Sequence, residues 1–211
     1  MPKEFTMKNP GSQITRMINR LGNSIPIEMI VREAAVNGHD ANKRLFPNKR
    51  GTVIFARDHE NSNKLSIINY DGDFFDQKNI DALTTIADTN NTDPSNTSEN
   101  YGIGAKVAYL PYGNILYRSK KAGEELGIKF IIEKDLATGN YGLKDFYCEY
   151  EEVKTNTPVC DTFSKYLTKD KAGTEMVLLG TSHDHDTFLQ IEKECGITGN
   201  TGGTGWNIYN W

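Results

Sequence analysis

The sequence predicts an α/β fold, a two-layer α+β sandwich in which a mixed, mostly antiparallel sheet is covered on one face by helices. Three features predict it: a long amphipathic helical segment near the N-terminus, five or six segments that read as strands, and a composition of 37% hydrophobic and 25% charged residues. A chain of 211 residues suits one large domain. We therefore expect residues 1–211 to form a single domain with its core at about 13–180.

The helices are predicted from apolar side chains that recur at the helical period. A first helix is expected over residues 13–21, and Gly22 with the two polar residues after it ends this helix. A second, stronger helix follows and continues to about residue 46, with Ser24 as its N-cap and Pro26 in its first turn.

The strands are predicted from alternating or short apolar runs bounded by turn residues. Segments 51–57 and 65–70 are expected to form a hairpin, because a polar, turn-like stretch joins them. A glycine turn and a short apolar helix are expected within residues 102–113. Further strands are predicted over residues 114–121, 126–134, 141–153 and 173–180.

Two segments lack the apolar side chains of a core element. Residues 87–101 are almost entirely polar and are typical of a long mobile loop. Residues 196–211 are glycine-rich and stop on apolar aromatic residues, as though cut from a longer polypeptide. We therefore expect the chain to be the N-terminal part of a longer protein.

The charge balance and the cysteines exclude several classes. With a net charge of −4 and no basic stripe, nucleic acid is not the expected partner of this chain, except through regions outside it. No apolar run is long enough for a membrane span and none resembles a signal peptide, so a cytoplasmic protein is expected. Three cysteines without a CxxC spacing argue against a disulfide framework and a zinc ribbon.

The second helix carries the most informative polar residues. Glu33, Asn37 and Asp40 stand at i, i+4 and i+7, which stacks them on one face of the helix. The apolar stripe lies opposite and consists of Ile30, Val31, Ala34 and Ala35. Taken alone, such a polar stripe is usually the solvated side of an amphipathic helix.

Three further motifs follow in order along the chain. The run Asp71-Gly72-Asp73 comes after a strand, where its glycine would let a flat ligand approach the backbone. The polar loop then ends in a glycine run whose N–H groups and following helix N-terminus suit a phosphate. That run comprises Tyr101, Gly102, Ile103, Gly104, Ala105 and Lys106. Lastly, Gly173-Thr174 places a hydroxyl at the start of a strand.

These four motifs, in this order, resemble the GHKL ATPase superfamily and its Bergerat nucleotide-binding fold. The superfamily includes gyrase B subunits, MutL, heat-shock chaperones, histidine kinases and phage rIIA-type proteins. The segment IVREAAVNGHDA resembles its N-box, and NYGIGAKVAYL resembles the glycine box of the chaperone and rIIA members. The resemblance covers about residues 13–180.

The resemblance implies a role for each motif residue. Glu33 would be the general base that polarises the attacking water, Asn37 a ligand of Mg²⁺, and Asp40 a residue on the nucleotide side of the helix. Asp71 would accept a hydrogen bond from the adenine amine, and Thr174 would support it through a water. The glycine run would give main-chain N–H groups to the phosphates of ATP or ADP from residues 102–105, with Lys106 adding a point charge.

The resemblance also implies a mobile ATP lid over residues 86–101 and an ATP-dependent homodimer. The second box departs from the family's DxGxG, because the run here is NYDGDFF and its register is open between Asp71 and Asp73. Aligning Gly72 with the first box glycine would place Tyr70 at the usual Asp position. Gly38 weakens the helix and is expected to let it approach phosphate or metal closely.

The functional hypothesis is a slow, Mg²⁺-dependent ATPase. The alternative is a non-hydrolysing, nucleotide-gated binding module, and a protein-histidine kinase and a purely structural α/β domain are weaker readings. The run 182–186 has metal-ligand residue types, but consecutive residues point in different directions, so a helix-start or loop segment is expected there. His39 is expected to be a surface or supporting residue.

Overall fold

The computed structural model describes residues 5–6, 20–22, 24–26, 28–48, 52–58, 60–70, 74, 108–123, 126–134, 141–152, 170–194 and 205–207. Over these ranges the chain is α+β, with one eight-stranded sheet and few helices. The strands are β1 Phe5–Thr6, β2 Thr52–Arg57, β3 Leu65–Tyr70, β4 Asn114–Lys120, β5 Leu126–Lys134, β6 Tyr141–Glu152, β7 Gly173–Gly180 and β8 Gly205–Asn207. The helices are α1 Glu28–Leu45 and α2 Thr187–Glu194, with a 3₁₀ turn at Leu110–Tyr112.

The strand order in the sheet is β1-β6-β5-β4-β7-β3-β2-β8, and every described pair is antiparallel. The predicted β2–β3 hairpin is confirmed, with Phe55 opposite Ile67. Strand β7 lies between β3 and β4, although it comes after both in the sequence. This crossover places the Gly-Thr motif of β7 beside the end of β3.

Helix α1 forms where the sequence predicts it, but it begins later. Ser24 is not its N-cap, because the Ser24 hydroxyl donates to the Leu21 carbonyl at 2.8 Å and the helix starts at Glu28. Glu28 in the first turn, with Lys43 and Arg44 in the last, complements the helix dipole. Of the first predicted helix, residues 20–21 are helical, as is Gly22, which was expected to end it, and residues 13–19 lie outside the described ranges.

The core lies between α1 and one face of the sheet. Ile30, Val31 and Ala34 are buried from the helix side, and they form one cluster with Phe55 and Leu65 of the hairpin. Burying one large aliphatic side chain contributes about 1.5–3 kcal/mol, so this stripe fixes the helix on the sheet. No described helix is long and apolar enough to cross a membrane.

A second group of buried side chains is charged, and the alternation of strand residues puts it on the sheet face opposite α1. Glu175 of β7 lies directly opposite Arg118 of β4, and Arg118 Nη1 donates to Glu175 Oε2 at 2.8 Å. The Ser66 hydroxyl donates to the other oxygen, Oε1, at 2.5 Å. Asp58 and Glu60 lie 3.6 and 2.9 Å from the guanidinium nitrogens of Arg118.

Candidate functional site

The polar face of α1 is partly buried. Only 17% of the Glu33 side chain and 13% of the Asp40 side chain are exposed, whereas Arg32 and His39 beside them are 56% and 68% exposed. A solvated stripe would leave its carboxylates in water. The sheltering of these two carboxylates therefore favours a site over an ordinary surface.

Glu33 has the electrostatics of a base. Burial raises its pKa above the ordinary value of 4.5, and the nearby Arg32 guanidinium only partly opposes this by donating to Oε1 at 3.2 Å. A carboxylate whose pKa lies closer to neutral accepts a proton more readily at physiological pH. Its chemistry thus suits activation of a water molecule.

Asp40 offers an acceptor that the described protein does not use. Its Oδ1 lies 3.5 Å from His39 Nδ1, while its Oδ2 is buried without a hydrogen-bond partner in the described ranges. Leaving a buried acceptor unpaired costs about 1–3 kcal/mol. Such an atom is expected to receive a donor or a cation when a ligand is bound.

Asn37 contacts a residue that follows the glycine run. Burial raises the pKa of the Tyr109 phenol, and both Asn37 and Glu33 lie close enough to influence that pKa as well. Tyr109 is buried and immediately precedes the 3₁₀ turn. The structure therefore brings Glu33 and Asn37 of α1 close to the segment that follows the predicted phosphate loop.

Gly38 does not face the polar side of α1, so the expectation that it approaches phosphate or metal is wrong. A Cβ on Gly38 would lie 2.2 Å from Val53 Cγ2 and 3.7 Å from Asn69 Cγ. At 100° per residue, position 38 falls on the same side as the buried stripe. Glycine here lets α1 sit directly on the hairpin of β2 and β3.

Asn69 lies where the sheet and the helix meet. It is directly opposite Thr174 on β7, and its Oδ1 is buried without a partner among the described residues. The Ser119 hydroxyl donates to the Gly173 carbonyl at 3.0 Å, so Thr174 is the donor in the 2.9 Å contact between the two hydroxyls. The residue directly opposite Thr174 in the sheet is Asn69, which comes two positions before Asp71 in the sequence.

Four of the predicted site residues lie in the described ranges: Glu33, Asn37 and Asp40 are on α1, and Thr174 is on β7 opposite Asn69, which Gly38 of α1 approaches. The others lie outside the described residues and stay predictions, as does the lid at residues 86–101. They are Asp71, Gly72, Asp73, Tyr101, Gly102, Ile103, Gly104, Ala105 and Lys106.

Two residues of the candidate site were missed by the sequence analysis. Asn69 was the one polar residue in the second half of the apolar run LSIINY, which was a usable signal. Tyr109 gave no such signal, because a tyrosine in a short apolar helix is ordinary.

The run 182–186 leads into α2, as expected. Asp186 Oδ1 accepts from the Leu189 backbone N–H at 2.8 Å, which caps the helix. His185 bonds Gln190 at 2.6 Å through Nε2, while Thr181 N–H donates to its Nδ1 at 3.2 Å. Lys64 Nζ binds the carbonyls of residues 182, 183 and 185 at 2.6–3.0 Å. The bonds from Lys64 hold the loop of residues 182–186 to the hairpin of β2 and β3.

Neither a protein-family model nor a curated protein sequence matches this chain.

Proposed function

We propose that this chain is an ATP-binding domain of the Bergerat type that hydrolyses Mg²⁺-ATP slowly. One observation carries the proposal: α1 packs through Gly38 on the hairpin that holds Asn69, and two acceptor oxygens, Asp40 Oδ2 on α1 and Asn69 Oδ1 on β3, are buried without partners among the described residues. Buried polar atoms are normally paired, and those left unpaired mark places where a ligand completes the bonds. A nucleotide offers the hydrogen-bond donors and the metal-bound phosphates that these two oxygens lack.

The residues present fit a magnesium ion. Mg²⁺ prefers oxygen ligands and is usually held by one or two protein side chains, substrate phosphates and water. Asn37 would supply its amide oxygen, and Asp40 would supply a carboxylate on the same face, one turn further along. When bound, the ion would draw the phosphate oxygens together and neutralise their developing charge.

Glu33 would act on the attacking water. The helix holds its carboxylate one turn before Asn37, and partial burial keeps it a better proton acceptor than an exposed glutamate. Because phosphoryl transfer requires mainly positioning and electrostatic stabilisation, a water held by Glu33 near the phosphates is the step this chain provides.

The adenine ring of the nucleotide would be recognised by residues of the sheet. The adenine amine is a donor that matches the unpaired Oδ1 of Asn69, which lies opposite Thr174 on β7. Thr174, opposite Asn69, would hold the water that completes the contact. Gly102–Ala105 would bind the phosphates, residues 86–101 would close as the lid, and closure would promote a homodimer.

Glu33→Ala and Asn37→Ala test the proposal. We expect Glu33→Ala to keep its ATP-dependent thermal stabilisation and to lose at least about 100-fold in phosphate release, because only the base is removed. Asn37→Ala is expected to weaken both the thermal stabilisation by ATP and the rate of phosphate release. Wild-type turnover in Glu33→Ala would refute the catalytic role, and binding without turnover in the wild type would favour a nucleotide-gated binding module instead.

A further inference from the structure

We infer that Ser119 is a positioning residue that fixes the hydroxyl of Thr174 as a hydrogen-bond acceptor towards the ligand. The inference rests on the proposed function, since it specifies how the Thr174 contact to the adenine ring is held. Ser119 itself contacts neither the nucleotide nor the metal in this arrangement.

Three polar residues form a row across three neighbouring strands. Asn69 of β3 is directly opposite Thr174 of β7, and Thr174 is directly opposite Ser119 of β4. Residues directly opposite each other in an antiparallel pair share a face of the sheet, with Cβ atoms about 4.5–5.5 Å apart. Gly38 of α1 approaches the Asn69 end of the row, and Ser119 at the other end is buried. The row therefore lies on the α1 side of the sheet.

The contacts within the row fix where each hydroxyl proton goes. The Ser119 hydroxyl lies 3.0 Å from the Gly173 carbonyl oxygen, and a carbonyl oxygen can only accept. Ser119 therefore gives its single proton to Gly173. In the 2.9 Å contact between the hydroxyls of Ser119 and Thr174, the donor is consequently Thr174. The donors run in one direction, from Thr174 through Ser119 to the backbone.

This direction decides what Thr174 offers to a ligand. A hydroxyl whose proton is committed offers only its lone pairs, so Thr174 accepts from the water that joins it to the adenine amine. Asn69 Oδ1 beside it is a buried acceptor without a partner among the described residues. Two acceptors suit an amine, whereas a carbonyl in the same place would face them unfavourably. Ser119 thus contributes to the preference for adenine by holding the Thr174 proton away from the ligand.

Ser119→Ala tests the inference, with Ser66→Ala as its matched control. Both changes remove one buried serine hydroxyl from the same sheet, but Ser66 bonds Glu175 on the face away from α1. Calorimetric titration measures the dissociation constants for ADP and for inosine diphosphate, which carries a carbonyl where ADP carries the amine. The unfolding midpoint of each variant without nucleotide checks that it is folded.

We expect the wild type to bind ADP at least about 10-fold more tightly than inosine diphosphate. Ser119→Ala should reduce that ratio by about 3–10-fold, because the released Thr174 proton can turn towards the ligand and suits a carbonyl as well as an amine. Ser66→Ala should leave the ratio unchanged, because a loss of stability alone weakens both nucleotides alike. In a Thr174→Val background the effect of Ser119→Ala should vanish.

Ser119→Cys takes the place of Ser119→Ala if the alanine variant does not fold. It nearly keeps the size of the side chain, but its thiol is a weak donor and a weak acceptor, so the ratio should fall in the same direction.

An unchanged ratio in the folded Ser119 variant would overturn the inference and leave the proposed function standing, as would equal binding of the two nucleotides by the wild type. An equal fall in Ser66→Ala, or a fall that persists in the Thr174→Val background, would reduce the effect to packing and would also overturn the inference. A folded wild type that binds neither nucleotide would overturn the proposed function and the inference together.

Discussion

The two faces of the sheet bury polar side chains in opposite ways. On the face away from α1, Glu175 accepts from both Arg118 and Ser66, and Asp58 and Glu60 lie within ion-pair distance of the same guanidinium. On the α1 side, the sheltered oxygens Asp40 Oδ2 and Asn69 Oδ1 have no partner within the described chain. Asp58 Oδ1 and Arg118 Nη2 on the far face also lack a hydrogen bond in the described chain, but each lies within ion-pair distance of an opposite charge, which the two oxygens on the α1 side do not.

This difference separates a folding role from a binding role. Burial raises the pKa of Glu175, and the Arg118 pair opposes that rise, so its ionised form is kept by a partner from the same sheet. The unpaired oxygens on the α1 side reduce stability, and a ligand that binds them would remove that cost. We therefore expect ligand binding to stabilise the α1 side, and we expect substitution of the buried charged residues to destabilise the far face.

The largest effect is expected from breaking the far-face cluster. Glu175→Gln leaves the buried Arg118 without its main partner, and we expect a loss of about 3–5 kcal/mol in urea unfolding. Glu60→Gln is the matched control on the same arginine, because Glu60 is 49% exposed and its loss should cost no more than about 1 kcal/mol. Equal losses in the two variants would contradict the assigned roles.

The contact between α1 and the hairpin should tolerate no side chain at Gly38. Alanine normally improves a helix by about 1 kcal/mol over glycine, but here its Cβ would meet Val53 at 2.2 Å. We expect Gly38→Ala to destabilise the protein by about 1–3 kcal/mol. Combining it with Val53→Ala should recover much of that loss, and a stabilised Gly38→Ala would show that the contact is looser.

Substitutions on the α1 side should show which residue binds the adenine ring. We expect Asn69→Ala to weaken ATP binding by about 10-fold, equivalent to about 1.4 kcal/mol, because one hydrogen bond to the ligand is lost. Asp71→Ala is the control, and calorimetric titration measures both. A loss confined to Asp71→Ala would return the base contact to the Asp-Gly motif.

The smallest effect concerns pH. Because the pKa of Glu33 is raised on folding, its contribution to stability is fully present below 4.5, the ordinary value, and is lost as pH rises through the folded pKa. We expect Glu33→Gln to be more stable than the wild type at pH 7, with the difference shrinking at acidic pH. A constant difference in chemical unfolding across that range would exclude burial as its cause.

The parts of the fold that depend on residues close together in the sequence were predictable. The polar face of α1 follows from helical spacing, and strands β2 to β7 follow from local runs of apolar residues. The phase of Gly38 was also available, since 100° per residue places it with Val31 and away from Glu33.

The remaining features depend on which strands become neighbours. Asn69 meets Thr174 only because β7 inserts beside β3, and Arg118 meets Glu175 only because β7 also pairs with β4. A single sequence carries little information about such pairings between distant segments. The same holds for Tyr109, whose position against α1 is set by tertiary packing.

Thermal unfolding with and without ATP and Mg²⁺ tests the central claim most directly. At a ligand concentration about 100 times the dissociation constant, a nucleotide that binds only the folded chain should add about 2.7 kcal/mol of stability. We predict this stabilisation for the wild type and for Glu33→Ala, with a weaker one for Asn69→Ala. A folded wild-type protein that no adenine nucleotide stabilises would contradict a nucleotide site on the α1 side of the sheet.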